Sequence, residues 1–349
     1  MSARPAGPAP DDALRGDAAV RPVLRGRLES GELAVTAEIS PPRGADPDAV
    51  GRQAQALAGW VDAVNITDNQ GACARMSSLA GSLLALAAGV EPVMQLTCRD
   101  RNRIALQSDL LSAAALGIPN VLLMTGDHPR FGDHPEAKPV FDLDSVQLVW
   151  AARTLRDEGL LLSGRKLEPP PSWLIGAVEN PCAPPAGFRA ARLGKKVAAG
   201  AQFAQTQYVF DAAAFTRWMT QVRDLGLDQR CWILAGVGPI RSLRALEHLR
   251  SGVPGVQVPD ELARRLRGVP AGRVADEGMR ACAETIQQLA AVPGVSGIHV
   301  MAPGFTRGIP ELLVMAGIAR RGAVELAAAA AGGGGASGGA GEGTGRRAY

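Results

Sequence analysis

PVMQLTCRDRNRIALQSDLLSAAALGIPNVLLMTGDHP, residues 92–129, holds the pattern that decides the fold. Two short apolar runs, PVMQLTC (92–98) and NVLLMTG (120–126), flank a segment, 101–117, whose apolar residues recur near every 3.6 positions and which ends in Gly117. The runs are apolar nearly throughout and do not alternate, as strands buried on both faces require; glycine is a helix stop. The unit reads strand–helix–strand, hence a parallel pair joined by a crossover. Outward from it the same unit repeats: TAEIS (35–39), AVNITD (63–68), WLIGAVEN (173–180), FAQTQYVF (203–210), CWILAGVG (231–238) and GIHVMAP (297–303). Predicted helices cover 46–60, 77–89, 141–159, 185–200, 211–226, 240–251, 258–266, 275–292 and 308–321. Asp142 or Asp144 is the expected cap of the 141–159 helix.

Eight strands with unbroken alternation predict a single-domain α/β protein, a (β/α)8 TIM barrel over residues 25–322. A doubly wound open sheet is the alternative. Residues 1–24, rich in Pro, Ala and Arg, are predicted disordered, as is the Gly/Ser/Ala tail 323–349.

Composition excludes several classes. A net charge of +3 on 349 residues, with no basic stretch interleaved with aromatics, argues against nucleic acid. No apolar run reaches a membrane span, and the amino terminus lacks a secretory core, so no membrane and a cytoplasmic location are expected. Cys73, Cys98, Cys182, Cys231 and Cys282 are odd in number and form no CxxC pair, against a disulfide framework or structural zinc. Cys98 and Cys231 lie inside strand runs and are expected buried.

In such barrels the chemistry sits where strands end. Glu38 closes the first run, either ion-paired with a rim arginine such as Arg43 or acting as a general acid or base. TGDHP (125–129) places Thr125, Gly126 and Asp127 after the fourth run. His128 and His134 form no metal-ligand spacing, and no metal is expected. Thr67, at the end of the second run, and Gln207, in QTQYVFD, offer hydrogen bonds suited to a heterocyclic ring, or cap turns. GVGPIRS (236–242) either holds a phosphate or makes a tight turn. Neither a GxGxxG after the first strand nor a P-loop is present.

AEISPPRG, VNITDNQ, LTCRDRN, LLMTGDHP, KKVAAGAQFAQTQYVFD, LAGVGPI and HVMAPG fall in order over about residues 33–320. Together they resemble the methylenetetrahydrofolate reductase family, in the short bacterial form and a divergent branch. The resemblance implies a flavoprotein, with FAD rather than FMN and with NADH or NADPH as electron donor. It implies reduction of 5,10-methylenetetrahydrofolate to 5-methyltetrahydrofolate in one-carbon and methionine metabolism. By that resemblance Glu38 is the acid that assists ring opening. Asp127 lies near flavin and pterin and stabilises an iminium. Gln207 binds the folate; Thr67, Gln95, Thr125, Gly126, Asp127 and Lys196 contact the flavin, Lys196 at the pyrophosphate. The chain departs from the family pattern at Gln95, where a histidine is usual, and at Leu243, where a stacking phenylalanine is usual. GAVENPCAPP lacks the usual aromatic contacts, which puts nicotinamide binding in question. A homo-oligomer or an electron-donating partner subunit is therefore also expected. Two competing readings are a folate-binding barrel subunit fed electrons by a partner and an unrelated phosphate-binding lyase.

Overall fold

The computed structural model describes residues 22–253 and 255–321. Strands β1 (Ala34–Ile39), β2 (Ala63–Ile66), β3 (Pro92–Thr97), β4 (Asn120–Met124), β5 (Leu174–Glu179), β6 (Phe203–Tyr208), β7 (Trp232–Val237) and β8 (Val295–Val300) close into one barrel in sequence order. Every neighbouring pair is parallel, and β8 returns to β1 with Thr36 opposite His299. Closure satisfies every strand edge, which an open sheet would leave bare.

Helices α1 (Val23–Glu29), α2 (Asp48–Leu57), α3 (Ser78–Ala87), α4 (Arg103–Ala115), α5 (Ser145–Arg153), α6 (Arg189–Ala199), α7 (Ala212–Asp224), α8 (Leu243–Ser251), α9 (Asp260–Arg267), α10 (Val274–Ala290) and α11 (Ile309–Met315) surround it. Local chemistry sets their ends. Ser77 accepts from Ala80 N–H at the start of α3, and Asn102 from Ile104 and Ala105 N–H at α4. Asp144, not Asp142, caps α5 in a reciprocal box with Gln147; Asp142 instead pairs with Arg103. In α2, Val50, Ala54 and Leu57 form the buried stripe. Burying one aliphatic side chain of Val or Leu size stabilises by about 1.5–3 kcal/mol.

The outward faces of the strands build two apolar layers beneath the helices. One joins β1, β2 and β6–β8; the other joins β3–β5 with α4 and α5. Cys98 and Cys231 are buried in these layers, and burial pushes both thiols up to about 12. Inside the barrel, β1 to β7 contribute an apolar floor: Ala34, Ala63, Val93, Leu122, Leu174, Phe203 and Trp232.

Leu24 and Leu28 of α1 complete that floor from below. The sequence boundary at residue 24/25 therefore falls inside a helix. Residues 23 and 24 belong to the folded barrel, because Leu24 is 0% exposed. Glu91, the residue before β3, anchors this helix by accepting the N–H groups of Val23 (2.5 Å) and Leu24 (3.1 Å). Its Oε1 also accepts Asn120 Nδ2 at 2.7 Å. The expectations for residues 1–21 and 322–349 lie outside the described residues.

Candidate active site

Above the apolar floor, alternation along the strands turns a second ring of residues inward, and this ring is polar. Thr36, Asn65, Gln95, Gln205 and His299 are all buried. Gln205 Nε2 donates to Thr36 Oγ1 (3.0 Å) and to Asn65 Oδ1 (3.1 Å), while Asn65 Nδ2 donates back to Gln205 Oε1 (2.6 Å). His299 Nδ1 lies 2.9 Å from Thr36 Oγ1.

Glu38, two residues beyond Thr36, sits directly over this ring. His299 Nε2 is 3.7 Å from Glu38 Oε1, and Gln95 Nε2 donates to the same oxygen at 3.2 Å. No arginine or lysine pairs with Glu38 among the described residues. The ion pair with Arg43 considered from sequence is not formed. Glu38 is part-buried and open toward the mouth. The carboxylate is thus met by the Gln95 amide and lies beside the His299 imidazole. Burial, then the nearby Glu38 charge, holds the Tyr208 phenol above its usual range, and its hydroxyl donates to Met301 O at 3.2 Å.

Gln207 lies at the carboxyl end of β6, where the strand is irregular. The register with β7 shifts between Gln205 and Tyr208, and Thr206 Oγ1 accepts Gly236 N–H at 2.8 Å. The Gln207 carbonyl oxygen Oε1 is used by Tyr208 N–H (2.9 Å), while its amide NH2 group has no protein partner among the described residues.

Thr67 ends β2 with a buried hydroxyl that finds no partner. A buried orphan donor of this kind usually marks a missing ligand or water. Gly126 follows β4 at φ +86°, with Thr97 2.9 Å from where a Cβ would stand, so the chain turns tightly there and leaves Asp127 exposed. Thr125 precedes it, half-buried. The loops after β2 and β4 join above β3, where Ala74 N–H donates to Asp133 at 3.1 Å.

One expectation is corrected, and of the two readings of GVGPIRS the tight turn is the one found. Lys196 does not reach the mouth. It is buried on the outer side of β5, where Nζ donates to Val178 O and lies 3.1 Å from Glu179 Oε2. Burial pushes its ammonium pKa down and Glu179 opposes the shift. GVGPIRS is a packing device and no phosphate cradle. A Cβ at Gly238 would stand 2.2 Å from Met301 O and 2.5 Å from the Tyr208 ring, so no ligand fits on that face. His128 and His134 are exposed, and His128 Nδ1 accepts Arg130 N–H. Among the described residues no group of three His, Cys, Asp or Glu could hold a metal, and no helix could cross a membrane.

His299 is the participant that sequence reasoning missed. Strand register sets it in place: Thr36 on β1 lies opposite His299 on β8, as Glu38 lies opposite Asn65 on β2.

A parallel eight-stranded barrel with its polar groups and the Glu38 carboxylate at the carboxyl ends of the strands has the design of barrel enzymes. The family model for methylenetetrahydrofolate reductase matches residues 23–317, so the chain belongs to that family. It is 24% identical over 249 residues to the probable methylenetetrahydrofolate reductase (NADPH) of Caenorhabditis elegans, covering 69% of this chain and 34% of that one. It is 28% identical over 252 residues to methylenetetrahydrofolate reductase 2 of Saccharomyces cerevisiae, covering 68% and 38%. The chain spans little more than a third of the length of these relatives. Its fold is similar to that of a Clostridium thermocellum protein solved with two copies of 5-methyl-5,6,7,8-tetrahydrofolic acid (TM-score 0.60, 13% identity, 84% and 97% covered). It is also similar to an F420-dependent secondary alcohol dehydrogenase (TM-score 0.53, 11% identity, 81% and 99% covered).

Proposed function

We propose that this chain reduces 5,10-methylenetetrahydrofolate to 5-methyltetrahydrofolate, with NADH or NADPH as the source of hydride and FAD as carrier. The observation that carries the proposal is Glu38, a carboxyl group at the end of β1 without a cationic partner, touching only Gln95 and lying beside His299. Hydride can reach the one-carbon unit only after the five-membered ring opens, and opening requires a proton on N10. A carboxyl group in a partly desolvated mouth is suited to that transfer. His299 Nε2 faces Glu38 and can steady the carboxylate left behind, while Thr36 holds the ring through Nδ1. Gln207 offers its free amide to the pterin. Asp127 supplies negative charge against the iminium formed on ring opening, a kind of electrostatic stabilisation that often contributes most to rate.

Thr67, Thr125 and Gly126 fit a flavin ring: an orphan hydroxyl after β2, and a second hydroxyl and a tight turn after β4, on either side of β3. Lys196 does not fit the pyrophosphate role, since Glu179 and Val178 occupy its ammonium. When bound, the flavin supplies two-electron hydride carriage between nicotinamide and folate. Overall, methylene-folate, NAD(P)H and one proton give methyl-folate and NAD(P)+.

The test is incubation of purified protein with 5,10-methylenetetrahydrofolate, FAD and NADH or NADPH, with the product identified by mass spectrometry. Deuteride carried on the donor should appear in the methyl group. Absence of 5-methyltetrahydrofolate with both donors, and with chemically reduced FAD, refutes the proposal.

A further inference from the structure

Asp68 follows Thr67 just past the end of β2, and its side chain is closed to water. Both carboxylate oxygens are occupied by protein donors. Oδ2 accepts the Thr97 N–H (2.9 Å), the Thr97 hydroxyl (2.9 Å) and Arg101 Nη1 (2.8 Å), and Oδ1 accepts Arg101 Nη2 at 3.2 Å. Arg101 is shared with Asp109 at 2.7 Å. A buried ion pair adds little net stability, because desolvation offsets the attraction. What Asp68 fixes is position. Thr97 is the last residue of β3, and Asp68 ties its side chain to the end of β2. The other side of Thr97 meets the turn after β4. A Cβ on Gly126 would stand 2.9 Å from Thr97 Cβ, 3.1 Å from Thr97 Cγ2 and 3.4 Å from Arg99 Cβ. Arg99 is linked to the same anchor, its Nη2 donating to the Asp68 main-chain oxygen at 3.5 Å. The turn that carries Asp127 therefore rests on two side chains, and Asp68 bonds both.

Resting on the proposed function, we infer that Asp68 is a positioning residue for the reduction: through Thr97 and Gly126 it sets where the Asp127 carboxylate stands against the iminium. Asp68 touches no reactant itself, since its oxygens are taken up inside the protein. Asp127 is exposed, and among the described residues no hydrogen bond or ion pair holds its side chain. Its place is therefore set by the turn beneath it. That turn has little freedom: Gly126 sits at φ +86°, where other residues are strained, and Thr97 closes the space a Cβ would need. Attraction between a carboxylate and a cation depends on their separation, so a shift of the turn changes the rate without changing Asp127. A misplacement of about 1 Å can cost as much as about 10²-fold.

The experiment is a double-mutant cycle on the full chain. It measures kcat and KM for 5-methyltetrahydrofolate formation in the parent, Asp68→Asn, Thr97→Val, Asp127→Asn and the two double variants that contain Asp127→Asn. Melting temperature and NADH oxidation by an artificial quinone are measured beside them. Asn keeps the shape of Asp68 and weakens its hold on Thr97 and Arg101; Val keeps the contact with Gly126 and removes the hydroxyl. Each single change should lower kcat by about tenfold, with KM and quinone reduction within about twofold of the parent, because the iminium exists only after the ring has opened. With Asp127→Asn already present, neither change should lower kcat by more than about a further twofold, since the carboxylate it positions is gone. Equal losses with and without Asp127 overturn the inference, because Asp68 would then support the fold or the flavin instead. Parental kcat in both Asp68→Asn and Thr97→Val overturns it too. Where Asp68→Asn does not fold, the Thr97→Val cycle decides by the same criterion. Asp127→Asn at the parental rate overturns this inference and leaves the rest of the proposed function standing. A parent chain that forms no 5-methyltetrahydrofolate overturns both.

Discussion

Replacing Lys196 by Met separates a structural role from a cofactor role at a single atom. Nζ is 3.1 Å from Glu179 Oε2, with both side chains essentially inaccessible to water. Coulomb attraction at that distance is worth roughly 5 kcal/mol at an effective dielectric of 20, against a desolvation cost of several kcal/mol per ion. The pair itself is thus near neutral, but removing one partner is not. Glu179 would stay buried with only Arg192 at 3.4 Å and Arg189 at 3.9 Å to offset it. Breaking a buried pair costs about 3–5 kcal/mol, and the two remaining arginines favour the lower end. At roughly 2–4 °C per kcal/mol, the melting temperature should fall by about 6–12 °C. The assay is thermal unfolding of the parent and Lys196→Met, with FAD affinity measured well below the transition. Stability should drop while FAD affinity holds. Unchanged stability with a tenfold or greater loss of FAD affinity would refute the burial argument and return Lys196 to the pyrophosphate.

Three further outcomes are expected. Leu24→Ala should destabilise by about 2–5 kcal/mol, as for other buried leucines, and deleting residues 1–24 should cost at least as much; urea unfolding showing neither would remove α1 from the barrel floor. Burial pushes Glu91 up to about 7, against the donors Asn120, Leu24 and Val23, from an ordinary 4.5. The fold therefore binds this proton more tightly than the unfolded chain. Stability is greatest below about pH 4.5 for this group and falls as pH rises to 7, by on the order of 3 kcal/mol. The comparison is the pH dependence of unfolding in Glu91→Gln, which should lose that slope. Asp127→Asn should keep the fold and slow product formation by about 10²-fold; a turnover rate within a factor of two of the parent would take Asp127 out of the chemistry.

The barrel was legible because doubly buried strands must be apolar on both faces. WLIGAVEN and CWILAGVG differ from observed β5 and β7 only at their ends. Helix α1 was not legible: seven residues with two buried leucines carry no periodicity, and their burial depends on a floor built by distant strands. Strand-end residues such as Glu38 and Gln207 could be placed at the mouth from position alone. Lys196 could not, because resemblance indicates a position and not a side-chain direction, and β5 happens to offer Glu179 on its outer face. His299 was hidden within HVMAPG, since its partner Thr36 lies 263 residues away. The GVG pair read equally well as phosphate loop or turn until Met301 and Tyr208 were seen against it.

Glu38→Gln bears most directly on the central claim, that this carboxyl protonates N10. Gln95 and His299 can still hydrogen-bond the amide, so the fold should persist. General acid catalysis is worth typically 10²–10⁴-fold. The measurement is single-turnover formation of 5-methyltetrahydrofolate by parent and variant, beside NADH oxidation by an artificial quinone acceptor, which needs no ring opening. The account predicts that methyl-folate formation falls by at least 10²-fold while quinone reduction stays within about twofold. Methyl-folate formation at the parent rate, or an equal loss of both reactions in a folded, flavin-loaded variant, would contradict it.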